Sequence, residues 1–504
     1  MVRASFFYKM TNLIKHSGQV FTPDYLVNLI LDEAGYFGPD ILRKHCIDNS
    51  CGDGAFLCEI VSRYIKAFLE TDDDTSKLPN EIFTYIHGIE IDPVAYNNCL
   101  DNLKAICLSF GVQCFKFDIS NADTLSFNLF DGKMDFVIGN PPYVRVHNLD
   151  HTYNAVKSFS FANGGMTDLY LVFFEKGFRM LKEGGKLCYI TPSSWLNSVA
   201  GGVMRDYIRR NHNLVSLIDL EHFQAFKATT YTLISLFQKR VRHTSFSYYV
   251  FDTASLNKRF IENLSFAEID INSYFYLSNH TTLVSLREIL TTPLPKYVTV
   301  KNGFATLADK VFIADSFPFD DFVIPTIKAS TGKWYYAFFP YDSSGKPFSR
   351  LQIFSNPQIA EYLNKNKSAL LKGDTEENNP FWYLYGRTQA LKDVASDKLS
   401  INTTIKDVKS LKINNVPAEA GVYSGLYILS DFDFFLIESL LRTDKFINYI
   451  SSLKKYKSGG YYTYNSKDLE IFLNYEIQKL IDYGNVQIPS TEQTEQCGLF
   501  ECNF

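Results

Sequence analysis

Asn140-Pro141-Pro142-Tyr143 closes the apolar run Asp135-Phe136-Val137-Ile138-Gly139, and its residue types suit the capture of an aromatic amine. The lone pair of an exocyclic amine is delocalised into its ring, so alkylation requires that pair to be localised and aimed. An Asn side-chain carbonyl accepts one N–H, and a neighbouring main-chain carbonyl accepts the other. Proline favours the arrangement because it fixes φ and removes its own donor. Two such acceptors hold a pyramidal nitrogen better than a planar one, which is catalysis by differential binding. Tyr143 offers a flat face to an extruded base, a contact worth about 1–3 kcal/mol at nucleic-acid sites. The same four residues also suit a tight turn that ends a strand, so their neighbours must decide.

The elements ahead of the tetrapeptide alternate. Thr22-Pro23 before Asp24-Tyr25-Leu26-Val27-Asn28-Leu29-Ile30-Leu31 reads as an N-cap, a Pro at the first helical position and an apolar-periodic helix closed by Gly35. His45-Cys46-Ile47-Asp48 reads as a strand opening into Asn49-Ser50-Cys51-Gly52-Asp53-Gly54, with a helix over about 55–70. Glycines there let the backbone approach a ligand beside a helix N-terminus. Alone, such a turn is more often structural. After the acidic connection Asp72-Asp73-Asp74, Tyr85-Ile86-His87-Gly88-Ile89-Glu90-Ile91-Asp92-Pro93 reads as a second strand, whose carboxylate Glu90 is placed for two ribose hydroxyls. A helix with Ala95, Cys99, Leu103 and Ile106 on one face leads to a third strand near 112–117, ending at Asp118, which suits an adenine amine. With Asn140, four successive strand ends then carry ligand-type residues at the carboxyl edge, where open α/β sheets bind.

Downstream, a helix from Thr167-Asp168-Leu169-Tyr170 to Leu181 stops at Gly184-Gly185, and Lys186-Leu187-Cys188-Tyr189-Ile190-Thr191 reads as a fifth strand. Further strands at 214–220 and 231–237 bring the expected total to seven. Between them, Phe223 and Phe226 suit a second aromatic wall or ordinary core. A basic stretch at 240–245 follows, which places a domain boundary there and gives 1–242 and 243–504. A length of 504 residues favours two domains, and 46% hydrophobic with 21% charged residues describes a folded protein.

No apolar run reaches membrane-spanning length, and Met1-Val2-Arg3-Ala4 lacks a signal-peptide core, so a cytoplasmic protein away from membranes is expected. Nine scattered cysteines without a C-x-x-C pair point to free thiols. His147 and His151 have helical ligand spacing but no third partner nearby, so no metal is expected. A net charge of −5 leaves nucleic-acid binding to a local basic face. Lys454, Lys455 and Lys457 form one such cluster, or equally a solvated helix end. The 32 Tyr and 43 Phe suit base stacking and an aromatic core alike.

In their order, these segments resemble the S-adenosylmethionine-dependent N6-adenine DNA methyltransferases of the gamma class, the TaqI-like family. The likeness is carried by Gly18-Gln19-Val20-Phe21-Thr22-Pro23, the turn at 48–54, Glu90-Ile91-Asp92, the Asn140 tetrapeptide and the stretch 185–195, over about residues 17–240. It implies a Rossmann-like α/β methyltransferase domain with a mostly parallel seven-stranded sheet, followed by a mixed α+β target-recognition domain. It implies that Thr22, Asp48, Gly52, Gly54, Glu90, Ile91 and Asp118, with Asn140 and Pro142, line S-adenosylmethionine. Asn140, Pro141, Pro142 and Tyr143 would hold a flipped adenine, with Phe226 as its second stacking face and Phe223 as the fallback. Asn49 stands where the family often has Pro, a departure that bears on the methionine pocket.

The second half resembles the family's specificity domains more loosely, through Lys301-Asn302-Gly303-Phe304-Ala305-Thr306, Tyr385-Gly386-Arg387-Thr388-Gln389 and Ser458-Gly459-Gly460-Tyr461-Tyr462. A Gly-Gly between Lys and Tyr suits a DNA-contacting loop and a surface turn equally. Expected partners are duplex DNA and a cognate restriction endonuclease, with the chain a monomer or weak dimer, in a restriction-modification system or as a solitary enzyme. Glutamine-N5 and RNA amine methyltransferases share the tetrapeptide, and a non-catalytic DNA-specificity subunit would share the fold. The large second half argues against the former, and the intact Asn140, Tyr143 and Glu90 against the latter.

Overall fold

The computed structural model describes residues 22–487 and 489, apart from 73, 115, 147–155, 157, 164–166 and 227–229. Gly18 to Phe21, Met1 to Ala4, Asp73, Phe115, His147 and His151 therefore lie outside the described residues. Contacts divide the chain into two units, Met1–Arg287 and Glu288–Phe504. Among the described residues no helix is long and apolar enough to cross a membrane.

In the first unit, local sequence sets the alternation. α1 (Asp24–Ala34) follows Pro23 and ends at Gly35, whose φ of 74° lets it donate back to Asp32. β1 (Cys46–Asp48), α2 (Ala55–Leu69), α3 (Leu78–Tyr85) and β2 (Ile86–Glu90) follow. Next come α4 (Pro93–Ser109), β3 (Asp118–Asn121), β4 (Met134–Gly139), α5 (Leu169–Met180) and β5 (Leu181–Pro192). α6 (Gly202–Asn211), β6 (Leu214–Asp219), β7 (Thr232–Gln238), β8 (Ser245–Asp252) and β9 (Asn257–Ser265) complete the sheet.

The nine strands lie in the order β3-β2-β1-β4-β5-β7-β6-β8-β9. Pairing is parallel from β3 through β5, and β7 runs antiparallel to both β5 and β6. Side chains alternate between two apolar layers, as the pleat requires. In β5, Leu187 and Tyr189 join the cluster of α5, whereas Cys188 and Ile190 join that of α1, α2 and α4. Burial of Leu187 and of Ile190 contributes about 1.5–3 kcal/mol each.

Three expectations change. The sheet has nine strands, not seven, and the expected boundary at 242/243 falls between β7 and β8 of one sheet; the division lies at 287/288. β8 pairs with β6, and Lys258 of β9 forms an ion pair with Glu33 of α1, so the basic stretch at 240–245 is a turn inside the unit. β5 begins at Leu181, already extended at ψ 140°, so Gly184-Gly185 lies within a strand and does not stop a helix.

The second unit is mixed α+β. One four-stranded sheet orders Val298–Asn302, Leu426–Ser430, Lys398–Ile401 and Ile413–Val416, and another orders Ile313–Ala314, Lys333–Phe338, Val323–Lys328 and Gly421–Tyr423. A three-stranded sheet joins Thr404–Ile405, Tyr461–Thr463 and Tyr456–Lys457. The helix Ser466–Asp482 is fixed by a capping box between Asn465 and Asp468.

Candidate functional site

Strand order reverses between β1 and β4, and open sheets bind ligands at the carboxyl ends beside such a switch point. β1 ends there in Asp48, and the chain turns through 49–54 into α2. Gly54 has φ 92°, and a Cβ on it would stand 2.8 Å from Cys99 Sγ of α4, so glycine is required by conformation and by space.

Glu90, the last residue of β2, ties this turn down: its carboxylate accepts from Gly52 N and Asp92 N, both at 2.8 Å. Burial raises its pKa, and those N–H groups pull it back. Asp92 is the N-cap of α4, accepting from Val94 N at 2.8 Å, a cap worth about 1 kcal/mol. Ile91 between them is 64% exposed. An open apolar face therefore adjoins a main-chain-braced carboxylate, the combination that suits a purine ring and its ribose hydroxyls.

Asp48 is buried, and Ser50 N donates to its Oδ1 at 3.0 Å. Burial, with Glu90 nearby, nevertheless pushes its pKa up to about 7. A Cβ on Gly139, the last residue of β4, would stand 2.6 Å from Asp48 Oδ1, so only glycine lets these two strand ends close. Asn49 turns the other way. Its Oδ1 accepts from the Tyr189 hydroxyl at 2.9 Å and its main-chain oxygen from Thr124 Oγ1 at 2.5 Å. Asn49 thus serves the core, locking the turn to β5 and to the segment after β3.

Asp118 does not join this edge. It opens β3 where the sequence suggested an end, lies opposite His87, and accepts from His87 Nδ1 at 2.7 Å at the amino edge. Val112 and Cys114 alternate as in a strand, yet both are buried in an irregular connection packed into the cluster of α2 and α4. At the level of Glu90 the strand carries Asn121, and Asp123 follows. Leu125 N donates to Asp123 Oδ1 at 3.0 Å and Ser126 Oγ to Oδ2 at 3.1 Å. Sequence reading missed Asp123, although Asp118-Ile119-Ser120-Asn121-Ala122-Asp123 shows an acidic residue at each end.

Asn140 leaves β4 with its Nδ2 donating to Thr22 Oγ1 at 3.1 Å. Thr22 is buried and caps nothing, since the N-cap position of α1 is Pro23. The threonine expected as a cap therefore orients the asparagine. The main-chain oxygen of Asn140 accepts from Ser50 Oγ at 3.4 Å, whereas the Pro141 carbonyl accepts from no group among the described residues. Ser50 is the other residue that motif reading passed over.

The Tyr143 hydroxyl donates to Ile190 O at 3.0 Å, and its ring meets Tyr170 and Phe226 at centroid distances of 6.3 and 6.1 Å. Burial raises its pKa, which keeps the ring neutral. Phe226 stands edge-on to Tyr143 at 75°, the geometry of two rings in mutual contact. Phe223 is half-buried and packs on Phe251 at 4.9 Å and on Tyr25 at 6.4 Å, whereas Phe226 is itself buried in the cluster of α1, α2 and α4. Among the described residues no three His, Cys, Asp or Glu side chains are grouped to hold a metal ion.

In the second unit, two of the three expected segments meet: Gly386 N donates to Thr306 O at 3.1 Å, and Gln389 Nε2 to Gly303 O at 2.7 Å. Of the lysine cluster, Lys455 is engaged by Asp468 at 2.6 Å.

Residues 64–226 match the model of a family described as Eco57I restriction-modification methylase. The chain is 27% identical over 232 residues to the type II methyltransferase M.XhoI of Xanthomonas vasicola, covering 44% of this chain and 42% of that protein. It is 22% identical to the type II restriction enzyme and methyltransferase RM.Eco57I of Escherichia coli, over 86% of this chain and 54% of that protein. The chain thus spans about half the length of these relatives. A solved structure of the type IIL restriction-modification enzyme MmeI in complex with DNA superposes with a TM-score of 0.57 at 14% identity, over 88% of this chain and 63% of that one. Type II methyltransferases are therefore among its homologues, and the fold is shared with a restriction-modification enzyme.

Proposed function

We propose that this chain is a DNA methyltransferase that moves a methyl group from S-adenosylmethionine to the N6 amine of a flipped adenine in duplex DNA. It would act as the modification arm of a restriction-modification system or as a solitary enzyme. The observation that carries this function is the hydrogen-bonded junction of the Asn140-Pro141 strand end with the turn braced on Asp48 and Glu90. Homologues named type II methyltransferases support the reaction, and a fold shared with a DNA-bound enzyme supports the acceptor.

The cofactor is S-adenosylmethionine, and the donor set suits it. Glu90 keeps lone pairs beyond the two that Gly52 and Asp92 engage, which suit vicinal hydroxyls. Ile91 supplies an apolar face, and Asp123 takes the place expected of Asp118 for the adenine amine. Asp48 would ionise beside a cationic ligand, because an opposite charge offsets the cost of burying its carboxylate. When bound, S-adenosylmethionine supplies an electrophilic methyl carbon on a sulfonium and departs as the thioether.

The chain's own task is to hold the acceptor. The Asn140 side-chain carbonyl and the Pro141 main-chain carbonyl accept the two amine N–H groups, freeing the nitrogen lone pair to attack the methyl carbon in line as the carbon–sulfur bond breaks. The amine proton passes to water. Tyr143 stacks on the base, and Phe226 becomes the second face by turning out of its edge-on contact. Residues 288–504 would form the target-recognition domain. Incubation with methyl-labelled cofactor and unmodified duplex DNA, followed by nucleoside separation, should place the label on N6-methyldeoxyadenosine. Label confined to cytosine, RNA or protein would sink the proposal.

A further inference from the structure

Lys406, Lys409 and Lys412 line one groove of the second unit, about 480 Å³ in volume, with Tyr461 also in its wall. All three are exposed, Lys406 and Lys412 next to buried Ile405 and Leu411 and Lys409 on the short helical turn Val408–Ser410 between them. Among the described residues none of the three enters an ion pair, whereas Lys301 is engaged by Asp393 at 2.8 Å and Lys455 by Asp468 at 2.6 Å. Asp407, the carboxylate of the groove, is turned onto its own backbone, where Ser410 N donates to it at 2.8 Å.

Sheet pairing brings a second feature to the same place. Thr404–Ile405 pairs with Tyr461–Thr463, with Ile405 opposite Tyr462. Lys406 consequently lies across the Gly459-Gly460 turn, its Nζ 3.5 Å from where a Cβ on Gly460 would stand. A row of cations without ion-pair partners among the described residues, beside a turn that carries no side chain at Gly459 and Gly460, fits a smooth polyanion better than an acidic side-chain cluster.

We infer that this groove holds one strand of the phosphate backbone of duplex DNA, with Lys406, Lys409 and Lys412 each meeting a phosphate. The inference rests on the reading of the chain as a DNA methyltransferase, and it adds a surface that positions the duplex without reading its bases. Each phosphate contact releases counterions, so log affinity falls against log salt with a slope of about −0.9 per contact.

The test is fluorescence anisotropy of the full chain with a labelled random-sequence duplex over a salt series. The K406Q/K409Q/K412Q variant is compared with wild type and with the charge-matched control K77Q/K104Q/K296Q. The groove variant should lose about 3 units of salt slope and bind roughly tenfold more weakly on every sequence, with KM for DNA raised and kcat unchanged. An unchanged slope, a loss equal to the control's, or a loss seen only with single-stranded RNA would overturn the inference. If the triple variant melts early, each single Lys→Gln change should remove about one unit of slope, and no change would again overturn it. Binding is read without turnover, so the two ideas fail separately. Slope lost in a chain that methylates no DNA sinks only the methylation reading, and turnover with an unchanged slope sinks only the groove.

Discussion

The central strands of the first unit carry polar side chains at both ends, and the two ends are built differently. At the carboxyl edge, Asp48 and Glu90 are braced by main-chain N–H groups of Ser50, Gly52 and Asp92, and Asn140 by the Thr22 hydroxyl. At the amino edge the groups serve one another. His87 Nδ1 donates to Asp118 at 2.7 Å, His45 and His87 share a hydrogen bond of 2.9 Å, and Asp135 accepts from His45 N at 3.0 Å while pairing with Lys182 at 2.5 Å. A network whose donors and acceptors meet internally specifies structure. A carboxylate braced by the backbone keeps lone pairs to offer. The two edges thus differ in what holds a residue at a strand end more than in its type.

That contrast breaks most sharply at Glu90. Glu90→Ala should weaken cofactor binding by roughly 100-fold, as loss of a charged hydrogen-bonding group implies, whereas Asp118→Asn should change it less than about threefold. Calorimetry measures both, and equal losses would erase the distinction. A smaller effect is expected at Asp123, where Asn should weaken cofactor binding by roughly tenfold. If Asp118→Asn proved the more damaging of the two, the reassignment to Asp123 would fail.

Proton linkage sharpens the same comparison, with opposite signs at the two edges. The folded pKa of Asp48, about 7, lies above its ordinary 3.8, so its contribution is complete at low pH and is lost as pH rises through 7. Burial, with His87 adding to it, holds His45 below its ordinary 6.5, so the folded state loses stability as pH falls through that value. Relative to wild type, Asp48→Asn should gain about 2–4 °C in Tm between about pH 6 and pH 8. His45→Gln should show its relative gain in the other direction, as pH falls from about 7 to 5.5. Parallel trends across thermal melts would refute the opposition.

Much of the carboxyl edge was legible because local rules decide it. Pro23 and Gly35 bound α1, the glycine turn needs Gly54, and Asp92-Pro93 starts α4, each within a few residues of sequence. Asp118 was misread because Val112 and Cys114 alternate as a strand would, and only tertiary packing shows them buried in an irregular connection. β8 and β9 were missed for a related reason. Their basic approach resembles a linker, and the pairing of β8 with β6 is a long-range contact. Thr22 looked like a cap, and its bond to Asn140 spans 118 positions. In the second unit, Lys406, Lys409 and Lys412 recur every third residue, but their lack of ion pairs among the described residues is a property of the folded surface.

Asn140→Ala tests the central claim most directly, when cofactor affinity and transfer of labelled methyl to adenine in duplex DNA are measured on the same preparation. The amine-holding role predicts cofactor affinity within about threefold of wild type and transfer reduced by roughly 100- to 1000-fold, the scale for loss of one transition-state hydrogen bond. Transfer to adenine that persists within tenfold of wild type, with the cofactor still bound, would contradict it.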